Sequence, residues 1–337
     1  ETGASILVVG ENAVRTHANG GGSAEIKALY EHTPFSGISM SVGGGNKLSF
    51  IPGYTSDAAA TKDRQWELRE AAIRAANNHD LIILVGGINH DFDTEGKDKQ
   101  DIALPYAQNE LIKALSAVNP NIVFVNVSGS AVDLSTVRQY AKAMIQTWYN
   151  GMEGGRALAD VIFGNISPSG KMPFTMAHSL ADYAAHTLGE FPGDQTVSYA
   201  EGLFIGYRHA GANAVYPFGH GLSYTTFEYS KLSAAVQSEI TVTFTLKNTG
   251  DTEAKETVQV YVGHVTPEHP RPAKELRHFE KVNLKPFAEK TITFTLNRKA
   301  FMTFDVKSAA WTLKPGEFKV MIGSSSEDIR LQETIIL

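Results

Sequence analysis

The hydrophobic pattern changes period once along the chain. Up to about residue 188, short apolar runs alternate with stretches of helical period. Ile6–Val9, Leu81–Val85, Ile122–Val127 and Ala143–Tyr149 read as strands buried on both faces, as parallel sheets require. Between them, Trp66–Asn78, Tyr106–Val118 and Gly154–Phe163 read as helices. The second carries Leu111, Ile112, Leu115 and Val118 on one face, with Pro105 in its first turn. The third has Leu158 and Ile162 four apart and Gly164 as its C-terminal cap. Strands alternating with helices predict βαβ units and a mostly parallel sheet covered on both faces.

From about residue 229 the period becomes two. Ile240, Val242, Phe244 and Leu246 alternate with polar residues, and Asn248-Thr249-Gly250 follows as a turn. Val258, Val260 and Val262 repeat the alternation, as do Ile292, Phe294 and Leu296, then Phe318, Val320 and Ile322. Several half-buried strands with hardly a helix indicate a β-sandwich. The expected organisation is an α/β domain over 1–188, an ordered connector over 189–228 rich in Gly, Tyr and Phe, and an all-β domain over 229–337.

Two domains also suit the size, because 337 residues exceed what one core comfortably organises. A composition 42% hydrophobic and 20% charged is that of a globular chain. The net charge of −6 gives no general attraction for nucleic acid or an anionic membrane surface, and no apolar stretch is long enough for a membrane helix. The absence of Cys removes disulfides, thiolate catalysis and cysteine-ligated metals. Glu1-Thr2-Gly3-Ala4 runs straight into an apolar strand with no basic leader segment, and the chain is expected to be a fragment.

Candidate chemistry narrows quickly. No P-loop, His-Glu-x-x-His or Gly-x-Ser-x-Gly motif occurs, and the 11 His show no ligand spacing. Gly20-Gly21-Gly22-Ser23 follows the first strand, where α/β folds bind ligands, but too late for a dinucleotide fingerprint. It is either plain loop chemistry or a ligand-facing loop. Asn89–Lys99 follows the strand Leu81–Val85 and so lies at a strand's C-terminal end. Asp91-x-Asp93-x-Glu95-Gly96 imitates the start of a calcium loop, yet Ile102 occupies the twelfth position, where a bidentate Glu belongs. The remaining readings are a solvated acidic loop and a loop carboxylate serving as general acid/base. Of two sequons, Asn126-Val127-Ser128 falls in a buried strand, whereas Asn165-Ile166-Ser167 follows a helix cap and is accessible.

The order of segments carries a resemblance. Ile6-Leu7-Val8-Val9-Gly10-Glu11-Asn12-Ala13 with Gly22-Ser23-Ala24, then Thr94-Glu95-Gly96-Lys97-Asp98-Lys99 and Ala103-Leu104-Pro105, resembles the second domain of glycoside hydrolase family 3. Gly151-Met152-Glu153-Gly154-Gly155, Pro168-Ser169-Gly170-Lys171-Met172-Pro173-Phe174 and Tyr199–Arg208 continue the likeness. Tyr216-Pro217-Phe218-Gly219-His220-Gly221-Leu222-Ser223-Tyr224 is similar to that family's most distinctive signature, and Trp311 with Pro315-Gly316-Glu317-Phe318 to its terminal domain. The resemblance spans essentially the whole chain.

It implies a six-stranded α/β sandwich followed by a fibronectin type III-like β-sandwich. It also implies a retaining exo-β-glycosidase that needs no cofactor or metal. Family members carry the nucleophilic Asp on a (β/α)8 barrel that precedes these domains, in a Ser-Asp-Trp context. Here only Ser56-Asp57-Ala58 occurs, within the segment matching the sandwich, so no nucleophile is assigned to this chain. By position, Glu95 is the general acid/base, with Lys99 where Arg is common. Ser23, in the loop matching one that borders the site, is the candidate to bind sugar or orient Glu95. Glu153 and Glu201 are expected to be structural, and Tyr199, Arg208, Phe218 and Tyr224 to lock the connector. The implied partners are a β-linked oligosaccharide or glycoside and the barrel, in the same polypeptide or as a separate chain. Homo-oligomerisation is left open, and the family expectation for location is secreted or periplasmic. β-Glucosidase is the leading specificity and β-xylosidase the alternative. A non-catalytic carbohydrate-binding or interaction module, or a small-molecule-binding protein using the Gly20–Ser23 loop, are readings of other classes.

Overall fold

The structure, a computed structural model, describes residues 3–193, 195–209 and 213–337. They form two compact units: residues up to 166 with 178–180, and residues 167–177 with the described part of 181–337.

The first unit is built on five strands: β1 (Ser5–Val9), β2 (Lys47–Ile51), β3 (Leu81–Gly87), β4 (Ile122–Val127) and β5 (Ala143–Gln146). They are parallel throughout, in the order β2-β1-β3-β4-β5. The helices are α1 (Pro34–Ser41), α2 (Lys62–Ala76), α3 (Gln108–Val118), α4 (Ser135–Tyr140) and α5 (Gly154–Ile162). Alternation along each strand splits the core in two. Ile6, Val8, Ile83, Val85, Val125 and Val127 pack with Ile38 of α1 and Leu158 and Ala159 of α5. On the opposite face Leu7, Ile82, Leu84 and Phe124 are equally buried, as are Ala72 of α2 and Leu111 and Leu115 of α3. Each such large aliphatic side chain contributes about 1.5–3 kcal/mol by leaving water.

The Gly151–Gly155 motif has a packing purpose. A Cβ on Gly155 would lie 2.1 Å from the Thr33 carbonyl oxygen, and one on Gly37 2.0 Å from that of Gly155, so α1 and α5 touch backbone to backbone. Glu153 is structural as expected: Tyr30 donates to its Oε1 at 2.5 Å and Arg156 pairs with Oε2 at 3.4 Å.

Two expectations need correction. The parallel sheet has five strands among the described residues, not six. The next strand in the chain, β6 (Met176–Ala177), pairs instead with β7 (Ala214–Tyr216) in the second unit. Pro105 precedes α3 rather than starting it, because Tyr106 and Ala107 adopt left-handed φ of 61° and 53° before the helix begins at Gln108.

The second unit starts earlier than the expected α/β end at residue 188. Residues 167–177 belong to it through specific bonds. The Met172 N–H donates to His220 O at 2.8 Å, and the Gly219 N–H returns a bond to Met172 O at 2.7 Å. Lys171 Nζ donates to Gly221 O at 2.9 Å and to Glu256 Oε1 at 3.0 Å, where the Tyr229 hydroxyl also donates at 2.9 Å. The Pro168–Phe174 motif and the Tyr216–Tyr224 signature are thus two halves of one packed structure. Phe218 stacks on Tyr207 and Arg208 lies 3.9 Å from Glu275, contacts that hold the connector within this second unit. Tyr199 does not share this role, since the residue is 83% exposed.

The rest of this unit is the β-sandwich. Its strands are β8 (Phe227–Val236), β9 (Ile240–Asn248), β10 (Ala254–His264), β11 (Glu275–Leu284) and β12 (Glu289–Leu296). A short pair, β13 (Thr303–Asp305) and β14 (Ala310–Thr312), precedes β15 (Glu317–Gly323) and β16 (Ile329–Ile336). One sheet runs β11-β10-β15-β16 and the other β12-β9-β8. Ile240, Val242, Phe244 and Leu246 meet Val258, Val260, Val262, Phe318, Val320 and Ile322 between them, the period-two positions of the sequence.

Candidate active site

Parallel strands place all their C-terminal loops at one edge of the sheet, and this is where the candidate residues gather. The loop after β3 is fixed at its root. Gln108 is buried and holds Gly87 from both sides, accepting from its N–H at 2.8 Å and donating to its carbonyl at 2.7 Å. Asn89, also buried, accepts from the N–H groups of Asp91, Phe92 and Asp93 at 2.8–3.0 Å.

Beyond this root the acidic residues diverge. Asp91 pairs with Arg15 at 2.8 Å, and Arg15 also reaches Glu11 at 2.9 Å. Asp93 turns toward the loops after β4 and β5, accepting from Ser130 Oγ at 3.0 Å, the Gly129 N–H at 3.2 Å and the Tyr149 hydroxyl at 3.1 Å. Lys99 Nζ donates to Ala131 O at 2.5 Å. Glu95 goes a third way, to the Gly20–Ser23 loop, where the Ser23 N–H donates to Oε2 at 2.5 Å. Three carboxylates with three separate partners do not make a calcium loop. Among the described residues no three His, Asp or Glu side chains converge on a metal position.

The two loops singled out in the sequence therefore meet. Gly22 has φ of 58°, and a Cβ there would lie 2.5 Å from the Cβ of Glu95. Ser23, through its hydroxyl and its backbone N–H, holds the Glu95 carboxyl below its ordinary range. Glu95 is exposed, so it is charged at neutral pH, with Oε2 engaged. A proton donor needs the opposite, a raised pKa, which burial beside a second carboxylate would supply.

An aromatic nest lies under these loops. Tyr149 is stacked near His17 at 6.5 Å and meets His90 edge-on at 4.6 Å. His17 Nε2–H donates to Asn12 O at 3.1 Å, and burial pushes the His17 pKa down to about 4, so the ring is neutral. Beside Gly22 an open cleft of about 650 Å³ is lined by Asn19, Glu25, Lys27, Glu31 and His90. The sequence marked Ser23 and Glu95 but not Tyr149, His17 or the anchoring of Asp93, which depend on strand order. Asp57 caps its own turn, accepting from the Ala59 N–H at 2.9 Å. Asn126 is fully buried and donates to Ser128 Oγ at 3.0 Å and to Gln146 Oε1 at 2.6 Å, which removes it as a glycosylation site, while Asn165 is exposed.

Comparison with known proteins identifies the family. The glycosyl hydrolase family 3 C-terminal domain matches residues 1–224, and the fibronectin type III-like domain residues 256–326. A β-glucosidase of Bacteroides ovatus is 43% identical over 96% of this chain and 46% of its own length. An exo-α-(1→6)-L-arabinopyranosidase of Bifidobacterium breve is 36% identical over 98% of this chain and 44% of its own. The crystal structure of a family 3 β-glucosidase from Bifidobacterium adolescentis superposes with a TM-score of 0.91 at 36% identity, covering 99% of this chain and 49% of that one. The chain spans about half the length of the relatives it matches. It belongs to glycosyl hydrolase family 3, of which it carries the C-terminal α/β domain and the fibronectin type III-like domain.

Proposed function

We propose that this chain is the acid/base-bearing part of a retaining exo-β-glycosidase that removes terminal non-reducing β-D-glucosyl residues, with Glu95 as general acid/base. The observation that carries the reading is the meeting of Glu95 with the Gly22–Ser23 backbone at the C-terminal edge of the sheet. A retaining glycosidase needs two carboxyl groups about 5–5.5 Å apart, one a nucleophile and one a proton donor. Glu95 is the donor. The nucleophile belongs to a barrel supplied in the same polypeptide or by a partner chain. Closure of that barrel over the 89–99 loop desolvates Glu95 beside a carboxylate and lifts its pKa into the working range. In the first step the proton goes to the glycosidic oxygen as its bond to C1 breaks. In the second, the Glu95 carboxylate takes a proton from the water that attacks C1.

A second specificity has support of its own. The arabinopyranosidase relative is as similar to this chain, at 36%, as the thermostable β-glucosidase B of Acetivibrio thermocellus. Assays with aryl β-D-glucoside, β-D-xyloside and α-L-arabinopyranoside separate these readings. The isolated 337-residue chain should hydrolyse none of them, and the chain completed by its barrel should prefer the glucoside. Turnover by the purified chain alone, lost in Glu95→Ala, would place both carboxyl groups within these residues and overturn the divided site.

A further inference from the structure

Glu95 and the Gly22–Ser23 turn fit each other more closely than a loop contact requires. The Ser23 N–H reaches Oε2 at 2.5 Å. A Cβ on Gly22 would overlap the side chain twice, 2.5 Å from Glu95 Cβ and 2.8 Å from Oε2. The left-handed φ of 58° at Gly22 directs the next N–H at the carboxylate and disfavours any residue but glycine. The loop across from it is anchored independently, by Asp93 on Ser130, Gly129 and Tyr149.

We propose that the Gly22–Ser23 backbone is the positioning element for Glu95, engaging Oε2 so that Oε1 is the atom that carries and delivers the proton. The inference rests on the reading of Glu95 as acid/base. An amide N–H can only donate, so the oxygen it engages accepts in the charged and the neutral carboxyl alike. The proton then resides on Oε1. From there it passes to the glycosidic oxygen as the C1–O electron pair moves onto that oxygen, and the nucleophile takes C1. Oε1 recovers a proton from the water that later displaces the nucleophile. The Ser23 hydroxyl also engages the carboxyl, but its rotor is free to turn, whereas the backbone donor neither titrates nor changes rotamer during the cycle and fixes which oxygen accepts. Gly22 and Ser23 are positioning residues, and the carboxylate does the chemistry.

The test separates the clamp from the catalytic reading. Carboxyl NMR of the 337-residue chain follows Glu95 through its titration, and the Ser23 amide signal should move with it. That amide step should vanish in Glu95→Gln. Gly22→Ala should raise the Glu95 titration toward the ordinary Glu range. Gly151→Ala should leave it in place, although Gly151 has a similar φ of 75° with nothing near its Cβ position. In the enzyme completed by its barrel, Gly22→Ala should lower kcat for substrates with poor leaving groups by about 10–100-fold, with KM little changed. Activated aryl glycosides should be affected far less. A Ser23 amide that ignores the Glu95 titration, or a Gly22→Ala chain with unmoved titration, overturns the clamp whatever the kinetics. A shifted titration with unchanged kcat overturns its role in positioning. A clamp that behaves as described in an enzyme whose Glu95→Ala variant is not rescued by azide would mean that the acid/base reading, not the contact, is at fault.

Discussion

Gly22 and Glu95 make a contact that only glycine allows, since any Cβ at position 22 would lie 2.5 Å from the Glu95 Cβ. The two residues are far apart in sequence but sit on loops after β1 and β3, which are hydrogen-bonded neighbours in the sheet. Crossing through α2 and returning in parallel brings both loops to one edge. A glycine-rich segment whose sequence leaves plain loop chemistry and ligand contact both open thereby becomes the seat of the candidate acid/base.

The neutral state of His17 makes stability depend on pH. Burial lowers its pKa from 6.5 to about 4, so between these values the unfolded chain takes up a proton that the folded chain refuses. The stabilisation is whole above pH 6.5 and declines as pH falls toward 4. Below both values the loss reaches about 3 kcal/mol. Urea unfolding between pH 7 and about pH 4 should show this decline. The same slope in His17→Gln would show that another group is responsible.

Strand periods, and with them the two-part architecture, were legible because burial acts directly on side-chain type. Val258, Val260 and Val262 alternate inward in β10 as their spacing requires. β2 and α1 were not legible: Lys47–Ile51 is a half-buried edge strand, and Pro34–Ser41 carries Gly and three Ser where a clear apolar stripe would be needed. The start of the second unit was hidden because the bonds of Lys171 and Met172 run to residues 219–221 and 256, which no local pattern reveals. Motif likeness marks both Glu95 and Ser23, but their bond, and its use of the Ser23 N–H, depends on the order of β1 and β3.

Lys171 and Glu256 form a nearly buried ion pair, with side chains 12% and 7% exposed. The Tyr229 hydroxyl donates to the same oxygen, and burial pushes its pKa upward. Lys171→Ala leaves a carboxylate without its cation and should cost the second unit about 3–5 kcal/mol. Lys171→Met with Glu256→Gln should cost much less than the sum of the single changes. Additive losses in calorimetry or urea unfolding would show that the pair is not coupled.

Limited proteolysis tests where the second unit begins. Residues 195–200 are exposed, and a protease should cut there first. The nicked chain should stay together on native gel filtration, because β6 and Lys171 on one side of the cut remain bonded to β7 and Glu256 on the other. Separation of the two fragments without denaturant would move the boundary back toward residue 188.

The role of Glu95 is tested most directly by chemical rescue in the enzyme completed by its barrel. A positioned acid/base contributes about 10²–10⁴-fold in rate, so Glu95→Ala should slow substrates with poor leaving groups by that order. A dinitrophenyl glycoside, which needs no protonation, should still form the glycosyl-enzyme, which accumulates because water lacks its base. Azide, a nucleophile that requires no deprotonation, should then restore turnover and yield the β-glycosyl azide. Equal slowing of every leaving group, with no response to azide and no azide product, would contradict the assignment.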